Sequence, residues 1–306
     1  MRKPTRREKD PTGQAGNRLK AKADIARRIR STRPQVLALL DSFPVQEITI
    51  NKVGYRYDID PQRMDGLFDV IARIMSDALN LESSSSWFFK EYTGKAWDEG
   101  TAQAVTRLKT LTESVAPSMS EAMSVDSVLS NPQFTRRFEI ASARTFENMK
   151  GFAGDAAKDL GFIMGNGIAL GESPRIIARD IRKKFTQIEG YRALRIARTE
   201  VNNAFTTSRD EVNQDARDNL GLDVRVMHVS ALVDSTRRTH AERHGKLYLP
   251  AEQKKWWNDG SNKINCLCST VEVIYIDGEP TNKKLIKRQQ ERGKAYFAMR
   301  GGQPKG

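Results

Sequence analysis

Residues 188–230 read IEGYRALRIARTEVNNAFTTSRDEVNQDARDNLGLDVRVMHVS and contain the clearest change of pattern in the chain. Over 188–217, apolar side chains recur at three- and four-residue steps along one face, which predicts a long helix. After Gly221 the pattern changes to DVRVMHVS over 223–230, whose alternation is typical of a strand. A long helix therefore leads into a module that contains strands.

Helical spacing also covers the chain upstream, from Asp60-Pro61, where an N-cap precedes a proline at the first helical position. Further helices are predicted at about 98–125, 131–150, 154–168 and 173–184. Downstream, VEVIYI at 271–276 predicts a second strand. The predicted fold class is α+β, mainly α: a helical N-terminal domain, a small mixed α/β C-terminal module and basic disordered termini.

Four segments are expected along the 306 residues. Residues 1–33 are predicted to be a basic arm, largely disordered, because Pro, Gly and charge dominate its start. Residues 18–31 have helical propensity but only a thin apolar stripe, so they are expected to need a partner to stay helical, and Pro34 is expected to interrupt this helix. Residues 34–219 form the helical domain, 220–280 the small module, and 281–306 a basic C-terminal tail.

Composition excludes several classes of protein. No window approaches the roughly 18 apolar residues of a membrane span, and the start of the chain lacks the apolar stretch of a secretory signal. Glu8 and Asp10 among the first arginines are unlike an organelle presequence. The two cysteines, Cys266 and Cys268, are too close in sequence for a disulfide framework. We expect a soluble protein, made in the cytoplasm of a cell, without a membrane partner.

Positive charge is concentrated at the two ends of the chain. Residues 1–33 hold twelve Lys or Arg against three Asp or Glu, residues 281–306 hold eight against one, and residues 34–280 hold 31 against 34. A nearly neutral body between cationic ends is expected when the ends contact a polyanion and the body contacts protein. Solubilising tails are the alternative. The residues predicted to contact double-stranded DNA, independently of its sequence, are Arg6, Arg7, Arg18, Lys20, Lys22, Arg27, Arg28, Arg30, Lys283, Lys284, Lys287 and Arg288.

Few residues are available for catalysis. The sequence has no Walker phosphate loop, no G-x-G-x-x-G after a strand and no G-x-S-x-G elbow. All three histidines, His228, His240 and His244, lie in the predicted module together with both cysteines. Any general base or metal site is therefore expected in this region.

The histidine and cysteine spacing suggests a zinc hypothesis. His240 and His244 would share one face of a helix, and a Cys-x-Cys pair adds two thiolates. Glu242 follows one position later than the glutamate of a zinc protease, so protease chemistry has little support. The candidate zinc ligands are His240, His244, Cys266 and Cys268, or Asp234 in place of a histidine. Two small buried thiols without metal are the alternative.

Asp234 and the tandem tryptophans each allow two interpretations. Asp234 would serve a nuclease as a metal ligand beside His240 or His244, or it would cap the following helix. Paired carboxylates are missing around it, which favours the cap. Trp256 and Trp257 would stack on single-stranded bases or fill the core of the module, and the small module favours the core.

Several of these residues together resemble one family. Their order and spacing are similar to those of the Mu F-like phage minor head, or head morphogenesis, proteins, over about residues 130–278. The residues that carry the resemblance are Arg198-Thr199-Glu200, Asn202, Asn203, Asp234, Thr236, His240, Gly245 and Asn265-Cys266-Leu267-Cys268.

The resemblance implies a virion protein in the capsid interior at the portal vertex of a tailed bacteriophage, bound to portal protein and close to the genome. Scaffold and major capsid protein are further candidate partners. It also carries over a structural cluster made of Asp234, Thr236, His240, Gly245, Cys266 and Cys268.

The chain departs from the family at two places. Members often have a tryptophan where this chain has Met227-His228-Val229, and an arginine where it has Leu267. A role of that arginine is therefore not carried over. ADP-ribosyltransferase domains are fused to some members, and the short basic stretch after Ile276 is too small for one.

The sequence thus predicts a non-enzymatic minor head protein with no catalytic residue and no required cofactor, zinc being the one candidate. The alternatives are a metal-dependent DNA-processing enzyme, a nuclease using Asp234 with His240 or His244, and a general DNA-binding protein. Metal-dependent nicking of a plasmid would indicate the enzyme. Co-purification with portal protein would separate the head protein from the general DNA-binding protein.

Overall fold

The computed structural model describes residues 10–49, 53–81, 87–113 and 117–300. The chain forms two compact units, one of Met1–Arg18, Glu91–Ser142 and Arg198–Gly306, the other of Leu19–Lys90 and Ala143–Ala197. Each unit therefore combines segments that are distant in sequence. The linear division at residues 34, 220 and 281 stays a prediction.

Helices make up most of the described residues. The helices are α1 (Ala15–Asp41), α2 (Pro61–Ala78), α3 (Gly94–Thr112), α4 (Pro117–Ala122), α5 (Val125–Leu129), α6 (Pro132–Ala169), α7 (Pro174–Gln187), α8 (Ala193–Leu220), α9 (Arg238–Arg243), α10 (Pro250–Asn258) and α11 (Lys283–Ala298). Two short π-helical turns, Phe89–Thr93 and Ile188–Arg192, directly precede α3 and α8. Among the described helices, none combines the length and the apolar character that a membrane crossing requires.

The unit of Leu19–Lys90 and Ala143–Ala197 is built on the apolar faces of helices. α1 buries Ile25, Ile29 and Val36 at helical spacing. A hairpin of β1 (Val45–Thr49) and β2 (Val53–Tyr57) follows it as an antiparallel pair. The hydroxyl of Tyr57 donates to the carbonyl of Glu172 at 2.8 Å, which attaches the hairpin to the turn before α7.

The other unit contains an antiparallel sheet in the order β4-β3-β5-β6. Its strands are β3 (Val224–Val229), β4 (Leu247–Tyr248), β5 (Ser269–Ile276) and β6 (Glu279–Pro280). In the central pair, Met227 lies opposite Val271 and His228 opposite Thr270. Because neighbouring residues of a strand point to opposite faces, Met227 and His228 point to different sides of the sheet.

The predicted fold class is confirmed: the protein is mainly α, with a small α/β module at the C-terminal side. The strand predicted from DVRVMHVS is β3, and the strand predicted from VEVIYI is part of β5. The long helix predicted over 188–217 is the π-helical turn followed by α8, which extends to Leu220.

The N-terminal expectation is wrong in two respects. Residues 15–33 lie in α1 rather than in a largely disordered arm, and Pro34 lies inside that helix. Burial explains the first difference, because the stripe of Ala21, Ile25 and Ile29 has a packing partner in the folded chain. Residues 1–9 lie outside the described residues.

Two further boundaries also differ from the sequence-based expectation. The helices predicted at 131–150 and 154–168 are one helix, α6, which continues through Gly151 and Gly154. A glycine without a turn or a capping role weakens a helix without ending it. The predicted basic tail contains α11, which buries Ile286 and Tyr296. Residues 301–306 lie outside the described residues.

Candidate functional site

The loop that carries the two cysteines is held by α8. The backbone N–H of Asn265 donates to Thr199 Oγ1 at 2.9 Å, and Arg198 donates to Asn265 Oδ1 at 3.0 Å. The side-chain amide of Asn202 donates to the carbonyl of Cys266. Asn265 has a φ of 55°, the left-handed conformation that asparagine tolerates better than most residues. Arg198, Thr199 and Asn202 on α8 therefore position the Asn265–Cys268 loop.

This loop brings both cysteines to His240 on α9. His240 Nδ1 lies 3.3 Å from Cys268 Sγ and 3.4 Å from Cys266 Sγ. The backbone N–H of Cys268 donates to Cys266 Sγ at 3.3 Å. All three side chains are buried, and both cysteines are free thiols. The predicted association of His240 with the Cys-x-Cys pair is present in the structure.

His228 on β3 completes the cluster, although it was not among the predicted ligands. Ligand atoms of His228, His240 and Cys268 all lie within 4.8 Å of one another. The side chain of His228 is fully buried. Its ring centroid lies 5.3 Å from that of Trp256 and 5.9 Å from that of Trp257. The alternation along β3 places His228 on the face opposite Met227 and Val229, but no local pattern indicated that this face meets the cysteines.

The electrostatics of this cluster follow from burial and from the shared proton of the thiols. Burial lowers the pKa of His228 well below its ordinary value, so the ring is neutral. The hydrogen bond with Cys268 lowers the pKa of Cys266 well below its ordinary value, and the same bond together with burial raises that of Cys268. The cluster therefore offers neutral imidazole and one thiolate, which are the forms that bind metal ions.

His244 does not join the cluster. Its Nδ1 accepts the backbone N–H of Ser230 at 3.0 Å, and its ring lies beside Gly293 of α11. Burial lowers the pKa of His244 to about 4, so it also serves as a neutral acceptor. The zinc set predicted with His244 is therefore not assembled, and His228 takes its place beside His240 and Cys268. The expected i, i+4 pairing fails because α9 ends at Arg243 and His244 has a non-helical ψ of 126°.

Asp234, Thr236 and Gly245 have local structural positions. Asp234 is exposed and forms an ion pair with Arg300. The hydroxyl of Thr236 accepts the backbone N–H of Val233 at 2.9 Å and closes a turn. The helix-capping interpretation of Asp234 is wrong, because α9 begins after Arg237 without a side-chain cap.

Gly245 is required by its backbone and by its neighbours. Its φ is +77°, and a side chain there would approach the backbone of Gln290 to 2.9 Å. Its N–H donates to the carbonyl of His228 at 2.8 Å. Larger residues at this position would therefore push α11 away from β3.

The tandem tryptophans fill the module, as the core interpretation predicted. Trp257 is 2 % exposed and packs with Cys266 and Cys268, and Trp256 is partly buried against the same group. The guanidinium of Arg243 stacks on Trp256 at 4.3 Å. Stacking on single-stranded bases would require faces that these contacts already cover.

A second polar group lies between α8 and β5. Arg209 donates to both carboxylate oxygens of Glu272, at 2.7 and 2.6 Å, and Asn213 donates to Glu272 at 3.3 Å. Both partners of the ion pair are buried. A groove of about 760 Å³ opens beside this pair, and its charged lining residues are Glu99, Arg107, Arg209, Glu272, Arg288 and Arg292.

The cations predicted to bind DNA from the N-terminal side are largely engaged within the protein. Arg18 is buried, with Asp10 at 3.1 Å and Asn202 at 2.8 Å. Arg28 stacks on Trp87 at 4.0 Å, and Arg30 pairs with Glu189 at 2.8 Å. Arg27 forms an ion pair with Asp24. Lys20 is exposed, Lys22 is half-buried, and Arg6 and Arg7 lie outside the described residues.

The predicted cations near the C-terminus are more accessible. Lys284, Lys287 and Arg288 are exposed on α11, as is Lys294 one to two turns further on. Lys283 is exposed and pairs with Glu279 at 2.8 Å. The buried side of this helix, which contains Ile286 and Tyr296, fixes which cations point outward.

The comparison with protein families supports the resemblance seen in the sequence. Residues 162–271 match the family described as Phage Mu protein F like protein, which confirms the predicted family over that part of the chain. The match includes α7, α8, β3 and the Cys-x-Cys loop. This family indicates a phage head morphogenesis protein, and with it a virion location.

One curated relative is similar over part of its length. NAD(+)–arginine ADP-ribosyltransferase EFV of Enterococcus faecalis is 26 % identical over 167 residues, which cover 51 % of this chain and 34 % of the relative. The chain thus spans about a third of the length of that relative. No solved structure matches the chain closely enough to support a comparison.

Proposed function

We propose that this chain is a minor head protein that acts in phage head assembly without catalysing a reaction, in the capsid interior at the portal vertex, bound to portal protein and packaged DNA. The observation that carries the proposal is the match of residues 162–271 to the Phage Mu protein F like family. The matched segment coincides with the helix and module in which the motif residues meet.

The arrangement of the motif residues supports a structural role. Thr199 and Asn202 are buried and bond the loop of Cys266, so they have no access to a substrate. Asp234 is exposed and forms an ion pair with Arg300, whereas His240 is buried against two thiols. The nuclease hypothesis needs these two side chains on one metal ion, and their different surroundings argue against it.

Portal binding is the first test. Purified portal protein and the full chain are mixed and separated by size, and co-elution is expected. Phe162 and Tyr191 are 66 % and 63 % exposed, and large exposed aromatic side chains are typical of protein interfaces. Phe162→Asp is therefore expected to weaken binding without lowering Tm, with Lys158→Asp on the same helix as the matched control. Absence of co-elution with the unaltered chain would overturn the assignment to the portal vertex.

DNA binding is tested by salt titration of a fluorescent duplex. Each phosphate contact contributes about −0.9 to the logarithmic salt slope. Replacing Lys284, Lys287, Arg288 and Lys294 by Gln is expected to reduce the slope by about 3 to 4, because these side chains are exposed. Replacing Lys20 and Lys22 by Gln is expected to reduce it by at most about 2. The double variant Arg6→Gln with Arg7→Gln measures how much these two cations, which lie outside the described residues, contribute to the salt slope.

The alternatives have distinct outcomes in the same experiments. A slope that none of these substitutions changes would place the DNA contacts on the nearly neutral body and contradict the proposed use of the ends. Nicking of supercoiled plasmid in Mg²⁺ or Mn²⁺, abolished by Asp234→Asn, would replace the structural role with the nuclease. DNA binding without portal binding would indicate a general DNA-binding protein.

A further inference from the structure

The His/Cys cluster contains polar atoms that the protein itself does not satisfy. Both ring nitrogens of His228 and Nε2 of His240 are buried and lack a hydrogen-bond partner. Gln253 faces His228, yet its own Nε2 also lacks a hydrogen-bond partner. An unsatisfied buried nitrogen costs about 1–3 kcal/mol, so such a group calls for an explanation.

The distances in the cluster match those between the ligands of a tetrahedral zinc ion. Zn–N and Zn–S bonds of about 2.05 and 2.3 Å at tetrahedral angles place nitrogen and sulfur about 3.6 Å apart. His240 Nδ1 lies 3.3 and 3.4 Å from the sulfurs of Cys268 and Cys266. His228 has a ligand atom within 4.8 Å of those of His240 and Cys268. Small side-chain adjustments therefore suffice to bring four ligands to one ion.

The surroundings also suit a metal site. The N–H of Cys268 donates to Cys266 Sγ, and such bonds stabilise a thiolate ligand. Trp256 covers the cluster, with its ring centroid 4.8 Å from that of His240. A cavity of about 60 Å³, lined in part by His240, Cys266 and Cys268, provides an entry path.

We propose that His228, His240, Cys266 and Cys268 bind one structural Zn²⁺ ion, which fastens β3, α9 and the Cys-x-Cys loop to one another. Two soft sulfur ligands with two imidazoles are the donor set that zinc prefers. A site with four protein ligands leaves no open position for substrate, so the ion stabilises the module. This inference concerns the fold of the module and does not depend on portal or DNA binding.

Metal content and ligand type are measured on the full, untagged chain. Elemental mass spectrometry is expected to find about one zinc per chain after desalting. X-ray absorption at the zinc edge is expected to show two sulfur and two nitrogen ligands, and this measurement needs no variant. Far less than one zinc per chain after refolding in zinc, or a shell of nitrogen and oxygen alone, would overturn the proposal.

Variants identify the ligands. Replacing zinc by Co²⁺ in the full chain is expected to give thiolate-to-cobalt charge-transfer bands, which His228→Gln and Cys268→Ser should reduce or abolish. His244→Gln is the matched control, because His244 is buried in the same module and bonds Ser230 instead. Loss of the bands in His244→Gln and their retention in His228→Gln would contradict the proposed ligand set. Chelation is expected to lower Tm of the unaltered chain.

Discussion

The two faces of the β3–β5 pair are closed in different ways. On one face, Met227, Val229 and Val273 pack against Ile286 of α11. On the other, Glu272 pairs with Arg209 and His228 lies among tryptophans, a histidine and cysteines. Aliphatic packing is non-directional and tolerates exchange of similar side chains, whereas each buried polar group needs its particular partner. The difference predicts where substitutions and pH affect the fold most.

The largest expected effect belongs to a buried carboxyl group on α8, the helix that also carries Arg209. Burial raises the pKa of Asp210 to about 8, against the opposing charge of Lys263. The two carboxyl oxygens of Asp210 lack hydrogen-bond partners. Between about pH 4 and pH 8 the unfolded chain therefore loses a proton that the folded chain keeps, so the stability contributed by this group falls as pH rises.

Asp210→Asn removes this dependence. The difference between the ordinary pKa of 3.8 and about 8 corresponds to at most about 5 kcal/mol by pH 8. The variant is expected to be more stable than the unaltered chain at pH 8 and similar to it at pH 4. Urea unfolding at both pH values measures the difference, and equal curves for the two chains at pH 8 would contradict the prediction.

Glu272→Ala is the next largest change. It leaves the buried guanidinium of Arg209 without its carboxylate, and breaking a buried pair in this way costs about 3–5 kcal/mol. The loss is expected in the free energy of unfolding measured by denaturant. Replacing both partners, by Glu272→Leu with Arg209→Met, is expected to recover part of it. A single substitution that leaves stability unchanged would show that the pair is not buried in solution.

Ile286→Ala tests the aliphatic face. Truncating this buried side chain removes contacts with Met227 and Val273, and it is expected to cost about 2–4 kcal/mol. Ile286→Val should cost about 1 kcal/mol, because only one methylene group is lost. Thermal unfolding in zinc and in chelator is expected to show the same loss, since α11 closes the face opposite the His/Cys cluster.

The smallest effect is expected at the exposed edge. Glu279 pairs with Lys283 at 2.8 Å, but both side chains are about two-thirds exposed. Surface pairs of this kind contribute little to stability. Glu279→Ala is therefore expected to leave Tm unchanged, and it is the control for Glu272→Ala. A loss of stability as large as that of Glu272→Ala would mean that charge alone, rather than burial, determines how much the removal of a carboxylate destabilises the protein.

The periodicity of the sequence predicted α8, β3 and β5 because their residue patterns repeat with the period of one element. It failed at α1, where Pro34 lies within a helix whose stability comes from the burial of Ile25 and Ile29. It also failed at the N-terminal cations, because the partner of Arg30, Glu189, lies far away in sequence. Such partners become visible only when the chain is folded.

Four features could be predicted from the order of the residues: the mainly helical class, the small strand-containing module, the family resemblance and the association of His240 with Cys266 and Cys268. The first two depend on local spacing, which a linear pattern records, and the last two depend on the order of the motif residues along the chain. Tertiary structure alone decided that His228 joins the cluster while His244 leaves it, and that Arg18 is buried rather than exposed. The physical reason is that strand pairing and helix packing bring together groups distant along the chain, and no local period encodes which of them meet.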